Sequence, residues 1–76
     1  MDEAERKIAE QNLLEADAAI AQGREEIAKQ MQLIAELTRE RFDIQAATEL
    51  LNTLYQYQTL LVEHRDQLRR ELGLET

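Results

Sequence analysis

The sequence predicts an all-α fold: a two-helix antiparallel hairpin of coiled-coil type that pairs with further copies into a four-helix bundle, as a homodimer or higher oligomer. Three observations predict it. Leu13, Ile20, Ile27 and Ile34 recur at seven-residue spacing, with Ala9, Ala16, Gly23, Gln30 and Leu37 as a companion series. A second series, Ala47, Leu51, Leu54, Gln58, Leu61, Arg65, Leu68 and Leu72, alternates steps of four and three. With two Gly, no Pro and three aromatic residues, a turn-rich β fold does not fit.

The first helix is expected over about 3–40. Asp2 followed by Glu5 reads as a capping box, with Asp in place of Ser or Thr. The turn is expected at about 41–43. Asp43 is the candidate N-cap of the second helix, and Phe42 before it packs on Ala47 as a weak hydrophobic staple. No Gly marks the end of the first helix, and nothing in 39–43 forbids helix. One continuous helix is therefore the alternative. The second helix is expected over about 44–72, stopped by a Schellman turn with Gly73 left-handed and Leu74 folding back toward Leu68. Acid-first pairs at i,i+4, namely Glu3–Lys7, Glu25–Lys29 and Asp66–Arg70, support both helices. A turn near Phe42 sets Ile34 against Leu51, Ile27 against Gln58, Gly23 against Leu61 and Val62, and Leu13 against Leu72.

The 76 residues make one domain, 1–76, whose own core is marginal. The absence of Cys excludes disulfides, a thiolate nucleophile and a thiolate metal site. Sixteen acids against nine Lys and Arg give a net charge of −7, spread evenly along the chain, which disfavours binding to a phosphate backbone. No apolar run approaches the length of a membrane span, and the acidic start is unlike a signal peptide. A cytoplasmic setting is expected.

Each helix carries a second apolar stripe. On the first it is Leu14, Ala18, Ala21, Ala28 and Ala35, helped by Met31 and Leu33; on the second it is Leu50, Tyr57 and Leu60. Left bare, these exceed what a small monomer exposes, so they are the expected oligomer interface. The expected hairpin seam is Leu13, Ile20, Gly23, Ile27 and Ile34 with Leu51, Leu54, Leu61, Leu68 and Leu72.

Polar residues on these positions are candidates for specificity. Gln30, Gln58 and Arg65 interrupt the seam and are expected to set register and partner choice. Asp66 is expected to pair with Arg69 or Arg70, off the face of Arg65. His64, the lone histidine, shares the stripe of Leu50 and Tyr57. Residue 61 is Leu, so there is no Glu-x-x-His iron motif. No Gly-rich phosphate loop and no nucleophile turn is present. No catalytic, cofactor-binding or metal-binding residue is assigned, and no enzyme is expected.

One resemblance adds to this. Gly23-Arg24, Ile27, Lys29-Gln30, Leu33 to Leu37, Arg39, Asp43, Ala47, Leu50-Leu51 and above all His64-Arg65-Asp66 with Leu68-Arg69 resemble a group of short bacterial proteins abundant in rhizobia and related alphaproteobacteria. The resemblance spans about residues 13–73. It implies a helical hairpin in a bacterial cytoplasm, and no activity. The group commonly has a Gly before an Asp in the turn, where this chain has Arg41-Phe42.

The expected role is a non-enzymatic adaptor or small regulator whose partner is itself, or another helical protein. A nucleic-acid-binding bundle using Arg65, Arg69 and Arg70 is the alternative, on fold analogy with Rop-type hairpin dimers. A ligand- or metal-holding bundle using His64 and Gln58 across a two-fold axis comes third.

Overall fold

The structure is a computed structural model and describes residues 1–74, two residues short of the expected domain. It contains two helices, α1 (Glu3–Arg39) and α2 (Gln45–Glu71). They fold back on one another as a hairpin measuring 57 × 20 × 14 Å. That thickness is one layer of helix.

α1 starts where the sequence says it should. Asp2 has extended dihedrals and its Oδ1 accepts the Glu5 amide at 2.8 Å. The negative carboxylate also meets the positive end of the helix dipole.

α1 stops without a glycine. Glu40 is the C-cap and Arg41 takes φ 64°, the left-handed conformation. The Phe42 amide donates to the Leu37 carbonyl at 2.9 Å, and the Arg41 amide to Thr38 at 3.1 Å. These two bonds define a Schellman motif with Arg in the position Gly usually holds. The positive φ ends the helix, and the continuous-helix alternative is thereby excluded. α2 ends with the same pair of bonds: Leu74 donates to the Arg69 carbonyl at 2.8 Å and Gly73, at φ 72°, to Arg70 at 3.1 Å. A side chain in the left-handed region is strained by about 1 kcal/mol, which Gly avoids. Arg41→Gly is therefore expected to stabilise the hairpin by about 0.5–1 kcal/mol. Urea denaturation checks this; unchanged or lower stability counts against the strain.

The start of α2 differs from expectation by one residue. Ile44 is the N-cap and makes no side-chain capping bond. Asp43 instead accepts the Gln45 amide at 3.0 Å from one position further out, as an Asx turn. Phe42 is 61% exposed and does not staple the helix. Its place is set by the Schellman turn behind it, not by α2 ahead of it.

The core is a single line. Ala9, Ala16, Ile20, Leu68 and Leu72 are buried, together with Gln30, and no large side chain among the described residues is fully enclosed. Leu13, Gly23, Ile27, Ile34, Leu51, Leu54 and Leu61 are half-buried along the same line. The register departs from expectation at its centre. Gln58, expected opposite Ile27, lies against Gly23, one helical turn nearer the N-terminus. The missing Cβ at Gly23 leaves the space that the Gln58 amide occupies.

Of the expected surface pairs, Glu3–Lys7 forms at 3.8 Å, joined by Arg6–Glu10 at 3.9 Å. Glu25–Lys29 and Asp66–Arg70 do not approach within 4 Å among the described residues. All are long, exposed side chains, where pairing contributes little and rotamer entropy opposes it.

Candidate functional site

Two glutamines cross the seam in opposite directions. Gln30 on α1 donates through Nε2 to the Ala47 carbonyl on α2 at 2.8 Å. Gln58 on α2 donates through Nε2 to the Ile20 carbonyl on α1 at 2.9 Å. Gln30 is itself buried. The Gln58 Oε1 is buried against Gly23 without a hydrogen-bond partner among the described residues. Sliding one helix by a turn would break both crossing bonds and push Gln58 onto a residue with a Cβ. The pair therefore holds the register, at some expense in desolvation.

Two of the three arginines at the basic end of α2 have partners. Arg65 donates to Asp66 Oδ1 from Nε at 3.1 Å and from Nη2 at 3.0 Å. The expectation that Asp66 would turn to Arg69 or Arg70 is corrected: the long Arg65 side chain curls back to reach its neighbour. Arg69 Nη2 donates to the Leu74 carbonyl at 3.3 Å. Arg65 is half-buried on the seam and His64 is exposed. Asp66 thus lies against Arg65 and the Leu74 carbonyl against Arg69, while Arg70 is exposed with no ion pair among the described residues.

The hairpin has two broad faces, and the sequence-predicted interface residues divide between them. On the front face, Glu5, Asn12, Ala19, Glu26 and Leu33 follow one another at seven-residue steps on α1. Leu50, Tyr57, His64 and Glu71 do the same on α2. These rows line successive shallow grooves, one with Leu33, Leu50 and Leu54, the next with Ala19, Gly23, Tyr57 and Leu61. A third, with Ile8, Ala9 and Leu68, lies at the far end. On the back face, Leu13, Leu14, Leu72 and Leu74 line a groove beside Glu10 and Asp17. Further along it, Tyr55 Oη donates to Met31 Sδ at 3.6 Å.

The expected interface residues thus fall on two faces. Leu14, Ala21, Ala28 and Met31 belong to the back, whereas Leu50, Tyr57, Leu60 and Leu33 belong to the front. Ala18 points away from α2 altogether, since 100° per residue puts it opposite the seam. All eight predicted interface residues are exposed in the single chain, led by Leu14 at 65%, Leu60 at 63% and Tyr57 at 58%.

Sequence reasoning found Leu50, Tyr57, Leu60 and His64 on one stripe of α2 but missed that Ala46, Thr53 and Gln67 extend it into a row in steps of four and three. It is a second heptad seam, rotated toward the front. A signal for it was present. Residues 45–62 contain one charged side chain, Glu49, in a chain that is 33% charged.

No group of three or more His, Asp and Glu side chains gathers at metal-binding distance among the described residues. No described helix is long and apolar enough to cross a membrane. Comparison of the chain with protein-family models, curated proteins and solved structures gives no match.

Proposed function

We propose that this chain is a self-associating helical hairpin that acts through protein–protein contacts, as an adaptor or small regulator, with no catalysis of its own. One observation carries this: a single layer of two helices exposes large hydrophobic side chains on both broad sides. Leu33, Leu50, Tyr57 and Leu60 stand out on the front, and Leu14, Met31 and Tyr55 on the back. A two-helix layer encloses only the line between its helices, so these faces gain by being covered. The finer architecture we favour is a four-helix bundle of two hairpins, whose second layer covers one face and leaves the other for a different helical protein.

Light scattering on purified protein at micromolar concentration tests the reading. The expected mass is a multiple of 8.9 kDa, with a melting temperature that rises with concentration. A folded monomer at that concentration, with a melting temperature independent of dilution, overturns it.

A further inference from the structure

On the basis of that self-association, we propose that the front face is the self-interface, and that two copies stack about a two-fold axis crossing α2 at Thr53, with α2 antiparallel on α2 and α1 antiparallel on α1.

The charge of the chain narrows the choice of surface. Each copy carries −7, so two copies repel unless they meet where charge is sparse or balanced. The surface of α2 between 45 and 62 is sparse: its one charge, Glu49, lies off the front row, where Gln45 Nε2 donates to it at 3.3 Å. A basic partner would be drawn to the acids of α1 instead.

The spacing of the front row fits its own reverse. Turned end for end about Thr53, Ala46 falls opposite the partner's Leu60, and Leu50, three residues before the axis, packs beside the partner's Tyr57, four residues after it. A small residue thus meets a large one and an aliphatic meets an aromatic ring, as interdigitating layers require. Thr53 meets itself at the axis, where a short side chain allows close approach. Isologous contacts have this self-complementary form.

α1 supplies balanced charge at the same level. The groove that holds Leu50 and Leu54, the residues flanking Thr53, is lined on α1 by Glu26, Lys29, Gln30 and Leu33. Glu26 and Lys29 therefore lie close to the axis, where end-for-end pairing brings each Lys29 within side-chain reach of the partner's Glu26. The front face is also large enough. It measures 57 × 20 Å, on the order of 1,100 Å² in projection, against about 800 Å² per partner in a standard interface.

The chain has no cysteine, which makes single-cysteine cross-linking clean. Thr53→Cys should join two copies through a disulfide within minutes of mild oxidation, because the two sulfurs meet at the axis. Ala28→Cys, on the back face, should not at the same concentration. Circular dichroism checks that both exposed sites leave the helices intact. Separately, Lys29→Glu gathers four acids round the axis and should weaken association at least about tenfold. The swap Glu26→Lys with Lys29→Glu should bring it back. If wild type is an oligomer but Ala28→Cys cross-links and Thr53→Cys does not, the front-face assignment falls and self-association stands. The same follows if the charge swap fails to restore association. If wild type is a monomer at micromolar concentration, both fall.

Discussion

Ile20→Ala is expected to destabilise the protein by about 3 kcal/mol, within the range for truncating a buried aliphatic side chain. Ile20 is the most buried of the described residues, at 3% exposure, and sits where the seam is best enclosed. Its replacement forfeits the transfer energy of the deleted atoms and leaves a gap that two straight helices close only by bending together. The backbone of residue 20 also accepts the Gln58 bond, so a shift of α1 at this point disturbs a second contact. Leu14→Ala is the control. At 65% exposed it should change the stability of the isolated hairpin by no more than about 0.5 kcal/mol. Urea denaturation of both variants, at matched and low protein concentration, checks the pair. Similar losses for the two would mean that the seam is not the core.

The seam was legible because each side chain that builds it also marks the period. Ile20 and Leu68 are buried where the heptads place them. The places that escaped were those where the backbone decides. Nothing in the side chain of Arg41 announces a left-handed residue, yet the two Schellman bonds hold it there. Asp43 has the right chemistry for a cap and acts one position early, because Ile44 completes the turn. The registry between Gln58 and Gly23 is a question of which void a flexible amide fills, and heptad counting carries no information on that.

The candidate surfaces were half legible for a related reason. A wheel drawn for one helix shows an extra stripe but not which broad side of a pair it joins. A straight helix drifts about 20° per heptad against a strict seven-residue repeat. The seam of each helix must therefore be oriented before Leu14 can be assigned to the back and Tyr57 to the front. Arg65 and Asp66 show the same limit: a face argument from Cβ directions says they diverge, and the reach of the guanidinium undoes it.

The two glutamines give the seam something that leucines would not. Leucine at positions 30 and 58 would bury more apolar area and would accept several alignments of the two helices with little difference in energy. A crossing hydrogen bond to a carbonyl exists in one alignment only, so the polar residues trade stability for a single register. The trade is most visible at Gly23. A mid-helix Gly is about 1 kcal/mol worse than Ala where nothing else intervenes, and here the weakness makes room for Gln58.

That balance makes Gly23→Ala informative. The new Cβ would land on the Gln58 side-chain amide, with the amide oxygen and Cδ in the way. Gln58 must swing out, losing its 2.9 Å bond to the Ile20 carbonyl and the packing of its stem. A net hydrogen bond contributes about 1 kcal/mol, and the lost packing adds to that. The helix gains about 1 kcal/mol from Ala in return. The expected sum is a loss of about 0.5 kcal/mol for Gly23→Ala alone. With Gln58→Ala already present the obstruction is gone, and the same Gly23→Ala change should then stabilise by about 1 kcal/mol. The four proteins form a double-mutant cycle with a coupling of about 1.5 kcal/mol, readable by urea denaturation. Additive changes, with Gly23→Ala gaining equally in both backgrounds, would show that Gln58 does not occupy the glycine notch, and the crossing bond to Ile20 would go with it.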